Sequence, residues 1–547
     1  PAQVATGHTR RMGLITTNSL TMVFNRRVVQ TALNQGTYLH MAIADHPWVD
    51  SANGAAVRIA MTVLATGSGE GQALTVTNEQ TGEHGETLVT LAPQTGIVHA
   101  DLTIGANLAK LKPLLANKGL ACPGVQLSGQ GFILTPTEAE SMRAAGSTAL
   151  VKRYFTGRDL MQTMREQYVL DTLGFDSQTL RNQHPVVYQW LHDKVKPERE
   201  AKRSTTSDSI EYAERWWLFS KPRPKFRQSL VGLGRFLVTS RTARHRVFQF
   251  TDAASLPETK VLIVALDNAL ALGVLQSSTH VTFANQTGGW LGVGNDSTYN
   301  HSDCFEKFPF PDEDTGLTPQ LRERIAQLAE QIDAHRKRVL GQAGTAGGDF
   351  ASEARRSPPQ SPPSPALPAQ PANTTNTALT LTGLYNVLAA LREGRALTPK
   401  EKTQHTQGLV GVLRELHDEL DATMLAAYGL PATASTDDIL AHLVQLNTQR
   451  AAEEAQGRVR WLRPDFQNPQ NSLQKQELLP QESQAPEADL DSEKPLSKTE
   501  RTKPAAQHPW PATLPEQVRA VAAALAASPV PLSLPAIARL AAPLAAA

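Results

Sequence analysis

The chain has 547 residues, 40% of them hydrophobic and 19% charged, and its 53 basic and 52 acidic side chains leave a net charge of +1. That length accommodates roughly three or four domains with sizeable cores. Cys122 and Cys304 lie far apart with no Cys/His cluster near either, which argues against a disulfide framework or a structural zinc site and suits a reducing cytoplasm. No apolar run approaches the ~18 residues of a membrane span, no signal-peptide pattern opens the chain, and prolines interrupt the alanine-rich tail, so membrane insertion is not expected.

The first residue is Pro1, followed closely by a strand pattern, and the opening reads as a fragment whose upstream part is absent. Over residues 1–110, MGLITTNS, TYLHMAIA, AAVRIAMTVLATG, QALTVTNE, TLVTLA and IVHADL carry the Val, Ile, Leu and Thr of short strands. Helix signals are confined to 26–34 and, weakly, 106–116, so the segment reads as the second half of an α/β sheet that finishes in antiparallel hairpins. Gly67-Ser68-Gly69-Glu70-Gly71 resembles a nucleotide-cradling loop, but another strand pattern follows it and no helix. It is therefore read as a hairpin tip, because a phosphate-binding loop must open a helix whose N–H groups meet the ligand. Arg58 within its apolar run is read as an edge-strand gatekeeper ahead of a functional residue. Trp48, in a loop before a strand, is read as packing ahead of stacking on an extruded base.

Residues 111–311 are mixed, with helices expected near 137–145, 158–168, 176–196 and 260–275; Gly273 fits the end of the last helix or a tight turn. The spacing of LRERIAQLAEQIDAHRKRVL predicts a helix over 321–340. Residues 341–378, rich in Gly, Pro, Ser and Ala, read as a linker that cannot order itself. Helices are expected over 379–469, a second linker over 470–506, and a short helical tail over 507–547.

Nine basic and no acidic side chains fall between Arg215 and Arg246 in RWWLFSKPRPKFRQSLVGLGRFLVTSRTARHR. The cations are Arg215, Lys221, Arg223, Lys225, Arg227, Arg235, Arg241, Arg244 and Arg246, interleaved with Trp216, Trp217, Phe219, Phe226 and Phe236. Cations neutralise phosphates, while Arg forks and flat rings can read or stack on bases, so the strip is read as a nucleic-acid contact. Pro222 and Pro224 are expected to keep it extended, which argues against one solvated helix face. A solvated basic loop followed by an ordinary strand is the competing reading. Alternation would put Arg244 and Arg246 on one strand face, where both could offer forks to guanine, while Lys221 and Lys225 would act on phosphates.

A second candidate is GVGNDSTYNHSDCFEKFPFP, residues 292–311, in which Thr298, Tyr299, Asn300, His301 and Ser302 precede the apolar anchor Phe305, Phe308 and Phe310. Thr298, Tyr299 and Asn300 are assigned to DNA contact, against a structural loop seal. His417 and Asp421 sit four residues apart on a helix, but no third ligand is evident, and a solvated face is favoured over a metal site.

These stretches in this order resemble the MmeI-like class I S-adenosylmethionine-dependent DNA (adenine-N6) methyltransferases. The resemblance rests on RRMGLITTNSLTMVFNRRVV, HPWVDSANGAAVRIAMTV, DLTIGANL, GVQLSGQGFILTPTEAE, VKRYFTGRDL, FSKPRPKFRQ and LGVGNDSTYNHSDCFEKFPFP. LYNVLAALREGRALTPKE, ELHDELDATMLAAYGLP and LNTQRAAEEAQGRVRWLRPDFQ are similar to the family's C-terminal helical part. The family implies an α/β fold: the second half of a class I methyltransferase sheet in 1–115, a mixed α+β target recognition domain in 116–311, a helix in 312–340 and α-helical C-terminal units. It also implies S-adenosylmethionine as donor, no metal, double-stranded DNA as partner, and a fused or separate nuclease.

The departures matter equally. The chain has no Asn/Asp-Pro-Pro-aromatic clamp for an extruded adenine; its one Asn-Pro step, Asn468-Pro469, precedes Gln470. Nor is there a strand–Gly-loop–helix pattern for the donor, and the family places both upstream of RRMGLITTNSL. The expectation is thus a piece of a site-specific methyltransferase of a restriction–modification or phage-defence system, supplying DNA recognition and inactive alone. Two rivals remain: a stand-alone DNA-binding specificity subunit, and an RNA-modifying enzyme on the same fold.

Overall fold

The computed structural model describes residues 1–22, 25–48, 57–82, 87–291, 296–341 and 379–469, with the backbone alone at Trp290 and Leu291. These all lie in one compact unit, Pro1–Leu478; the second unit, Leu479–Ala547, and with it the expected helical tail, lies outside the described residues, as do the two expected linkers apart from Gly341.

The N-terminal strands are β1 (Arg11–Thr17), β2 (Thr37–Pro47), β3 (Arg58–Thr66), β4 (Gly71–Thr81) and β5 (Thr87–Gly96), arranged β1-β3-β2-β4-β5 in a mixed sheet. β2 and β4 run parallel while β3 runs antiparallel to β1 and β2. The helix Arg26–Asn34 lays Val29 and Ala32 on Leu39, Ala42, Ala60 and Leu64, the face that alternation turns inward. Gly67–Gly71 is consequently no hairpin tip: it carries the chain past β2. Glycine is required at 71, because a Cβ there would stand 1.9 Å from the Leu39 carbonyl oxygen. Arg58 is not on an edge either. It begins the interior strand β3 and reaches Asp45 on β2 (2.6 Å) and, past β2, Glu79 on β4 (2.7 Å). IVHADL forms only a bridge, Val98 to Ile104, and 106–116 holds two short 3-10 turns in place of the expected strand and helix.

The following region holds β6 (Ala121–Pro123), β7 (Ile133–Leu134), β8 (Val151–Phe155), β9 (Gln167–Leu170), β10 (Arg235–Ser240), β11 (Thr242–Ala243), β12 (Gln249–Asp252), β13 (Ser255–Pro257), β14 (Val261–Val264), β15 (Gly289–Leu291) and β16 (Asp296–Thr298). Among the described residues they form sheets ordered β12-β10-β14-β6, β13-β8-β9-β7 and β11-β16-β15. The apolar run at 260–275 is a buried strand followed by the helix Ala269–Gln276, a split that periodicity alone does not reveal. Helix is likewise shorter than expected at 158–168, where Gly157–Met161 gives way to β9, and at 176–196, where the chain breaks at His184 ahead of Pro185.

The helix Pro319–Val339 appears as the spacing predicts and packs on Ala269–Gln276. Gly273 lies inside that shorter helix and ends nothing; a Cβ on it would come within 2.4 Å of Ile325. Helices Leu381–Arg392, Pro399–Gly408, Val410–Ala427 and Thr436–Ala455 follow, and the short helix Pro464–Gln467 comes last in the described chain. One apolar core runs from Val247, Phe283 and Phe308 through Ile325 and Leu328 to Leu384, Leu413, Met424 and Leu443. Arg336 sits inside it, donating to the Phe248 carbonyl (2.7 Å), Gln276 Oε1 (3.0 Å) and Tyr385 Oη (3.0 Å). Tyr385 Oη also meets His417 Nε2 at 2.8 Å, so His417 is buried rather than on a solvated face. Among the described residues no His/Cys/Asp/Glu group could hold a metal ion, and no helix is long and apolar enough to cross a membrane.

Candidate nucleic-acid interface

The basic strip divides into cations consumed by the fold and cations presented by it. Arg246 belongs wholly to the first group. The chain leaves strand geometry after Ala243, so Arg244 faces solvent and Arg246 is buried, in place of the shared face that alternation predicts. The Arg246 guanidinium donates to the Ser240 carbonyl, Thr239 Oγ1 (3.2 Å), and the carbonyl (2.9 Å) and Oγ (3.1 Å) of Ser297, and lies over the Tyr299 ring. Burial pushes its pKa down to about 10. Tyr299 is also buried, its hydroxyl 3.0 Å from His280 Nε2, so these two predicted DNA contacts are the frame behind the loop 298–302.

Arg227 makes a fork on Asp171, with Nη1 to Oδ1 at 3.0 Å, and Arg235 pairs with Glu330 while stacking 3.6 Å from the Phe250 ring centre. Arg215 is exposed and pairs with Glu211 one helical turn away, at 3.1 Å. The aromatic residues of the strip are not base platforms. Trp216, Phe219 and Phe236 are buried, and the Trp217 indole donates to the Phe175 carbonyl (2.9 Å).

Lys221, Arg223, Lys225, Arg241 and Arg244 remain available to a partner. Lys221 is tied by its backbone to Gln126 in both directions (3.1 Å each) and leaves its side chain exposed. The strip is not extended throughout: Pro224 starts the short helix Pro224–Arg227, with its missing N–H placed where a helix needs none. Arg223 precedes it in the left-handed region, φ 58°, a conformation that costs a non-glycine residue roughly 1 kcal/mol or more. Its Nε donates weakly to the Gly124 carbonyl (3.4 Å), and Lys225 beyond it is exposed.

Arg241 is brought to the polar loop by main-chain pairing: its N–H donates to the Lys260 carbonyl (2.8 Å), and its carbonyl accepts from the Tyr299 N–H (2.7 Å). Thr298 Oγ1 accepts from the Gly289 N–H (3.0 Å), and Asn300 Oδ1 caps the next turn through the Asp303 N–H (2.8 Å). His301 is half-buried beside them. Burial holds its imidazole below the ordinary range; Glu306 opposes that shift, and the charges of Arg241 and Arg223 reinforce it. Arg223, Arg241 and the 298–302 loop therefore form one neighbourhood, whereas Arg244 lines a separate cleft of about 240 Å³ beside Arg392. An open groove of about 600 Å³ adjoins the loop, with Thr298, Asn300, Ser302 and Lys307 on one wall and Met22 and Arg27 of the N-terminal region on the other. The polar stretch offered to DNA from the sequence includes His301 and Ser302 beside Asn300, whereas Arg27 carries no such signal and only the fold brings it to the groove.

Residues 113–312 match the family MmeI, target recognition domain. A search of curated proteins finds no match. Among solved structures, the chain is similar to the type IIL restriction-modification enzyme MmeI, solved in complex with DNA, at a TM-score of 0.57 and 16% identity over 82% of this chain and 51% of that one. It thus spans about half the length of that enzyme. The type IIG restriction endonuclease BpuSI aligns at a TM-score of 0.24 and 10% identity, over 77% of this chain and 47% of that one.

Proposed function

We propose that this chain, an MmeI-like C-terminal part with a target recognition domain, reads double-stranded DNA for a site-specific adenine-N6 methyltransferase of a restriction–modification system. The observation that carries the reading is that the matched region, 113–312, holds the loop whose Thr298, Asn300 and Ser302 line the groove, with Arg241 paired to Tyr299 through the main chain and the charges of Arg241 and Arg223 acting on His301. Arg223 and Arg241 have the planar fork suited to phosphate or guanine, and Lys221 and Lys225 act as point charges on the backbone. Asn300 and Ser302, which line the groove, would meet base edges once the backbone contacts fix register.

In this reading the five-stranded sheet belongs to the class I methyltransferase domain. Support comes from the edge strand β1, where Leu14 (41% exposed) and Ile15 (59% exposed) present apolar surface suited to further coverage. S-adenosylmethionine would be the donor of the whole enzyme. The described residues of this chain do not fit it, since the Gly67–Gly71 loop leads into β4 and not into a helix.

The test is a fluorescence-anisotropy titration of duplex DNA across a salt series. Arg223→Ala with Arg241→Ala should weaken binding and flatten the slope of log K against log salt by about 0.9 for each phosphate no longer neutralised. An unchanged slope and affinity would reject this interface. A stand-alone specificity subunit is the second reading; it would bind DNA identically but confer methylation only when mixed with a separate catalytic chain.

A further inference from the structure

A second cavity, of about 420 Å³, lies away from the groove, between the recognition region and the end of the helix Thr436–Ala455. That volume falls within the range of small-molecule sites. Its walls are of two kinds. Leu270, Phe310 and Trp461 give it a partly buried apolar lining, while Arg322, Arg450, Arg458 and Arg460 bring four guanidinium groups to it.

The acids nearby are already engaged. Glu454 accepts from the Leu115 (2.7 Å) and Ala116 (2.9 Å) amides, Asp312 in the cavity wall pairs with Arg460 (2.7 Å), and Asp314 and Glu453 are shared among Arg450, Arg458 and Arg460. Donor capacity is nevertheless left over. Arg450 is 5% exposed, its Nη1 makes only long contacts of 3.3 Å to Asp314 and Glu453, and its buried Nη2 has no hydrogen-bond partner. A buried charged donor without an acceptor is costly, so such a group calls for an acceptor that the chain does not supply. Arg458 is 65% exposed and reaches Asp314 only at 3.4 Å. Arg322 is exposed, with no side-chain partner among the described residues.

We propose that this cavity binds a small phosphate-bearing ligand with a flat apolar body, of the nucleoside monophosphate class. The phosphate would sit at Arg322 and Arg458 with Arg450 behind it, and the ring would lie against Phe310 and Trp461. The site is separate from the DNA groove, so the two readings stand or fall independently.

The experiment is isothermal titration of the full chain with AMP, with inorganic phosphate, and with a duplex oligonucleotide. AMP should bind saturably, at least tenfold tighter than inorganic phosphate. Arg322→Glu, a change at an exposed position, should weaken AMP at least tenfold and leave duplex affinity within twofold. A cavity-filling variant, Leu270→Trp, should abolish AMP binding in protein whose circular dichroism is unchanged. The proposal is overturned if AMP does not bind, if inorganic phosphate binds as tightly as AMP, if Arg322→Glu leaves AMP affinity unaltered, or if prebound duplex displaces AMP competitively.

Discussion

Replacing Arg246 with alanine should unfold the protein more readily without altering what the folded remainder does to DNA. Four acceptors receive the guanidinium: the Ser240 and Ser297 carbonyls and the hydroxyls of Thr239 and Ser297. Hydrogen bonds from a charged donor are worth roughly 1.5–3 kcal/mol, and buried acceptors stripped of their donor cost about 1–3 kcal/mol each. Water entering the vacated space recovers part of that sum, and the stacking over Tyr299 disappears as well. The net expectation is about 3–5 kcal/mol, the range of severe single substitutions, against a total stability on the order of 5–15 kcal/mol. Urea unfolding followed by tryptophan fluorescence should show a lower midpoint at an unchanged m-value. Arg246→Lys should recover only part of the loss, because one ammonium cannot span acceptors held for a planar fork. Below the new midpoint, the salt slope of duplex binding should match the parent. A variant as stable as the parent, with a slope flattened by about 0.9, would instead put Arg246 on a phosphate and refute the burial argument.

Arg227→Ala removes the fork on Asp171 and should likewise lower stability, by about 1–3 kcal/mol in a urea titration, with no change in DNA salt slope. Gly273→Ala should lower the thermal midpoint by the equivalent of about 1–3 kcal/mol, because its Cβ would meet Ile325 Cγ2 at 2.4 Å and the Ile325 carbonyl at 3.0 Å; Ile325→Val, which keeps Cγ2, should rescue neither contact. His280 is fully buried, and burial first, with Arg246 second, lowers its pKa from 6.5 to about 3. The unfolded chain therefore takes up a proton on this residue below pH 6.5 that the folded state refuses until about pH 3, so stability falls as pH drops through that window. The contribution approaches about 1.4 kcal/mol per pH unit, and His280→Gln should shallow the acid limb of a urea-midpoint-against-pH profile by that amount.

Element type is legible where the pattern is long and periodic, as in the helix over 319–339, and the amphipathic segment 26–34 coincides with its helix. Legibility fails where an apolar run is buried on all sides. VLIV in β14 and ALALGVLQ in the helix after it are both uniformly apolar, so nothing in spacing separates strand from helix. Gly273 misleads for a related reason. A glycine demanded by a neighbouring helix leaves no local mark, whereas one at a helix end does. The basic strip shows the same limit in charge. Composition identifies an arginine-rich segment, but whether an arginine faces DNA or the core depends on the bend after Ala243 and on acceptors at Ser297, far along the chain. Asp171 and Glu330, which occupy Arg227 and Arg235, are equally remote in sequence.

Photo-crosslinking of the full chain to duplex DNA, with crosslinked peptides located by mass spectrometry, tests the recognition surface most directly. Crosslinks are expected in 221–225, at Arg241 and in 298–302, abolished above the salt concentration that prevents binding, and none on peptides whose cations are Arg235 or Arg246. Crosslinks confined to Arg235, Arg246 or the helices of 379–469, or none at a salt concentration where anisotropy shows complete binding, would contradict it.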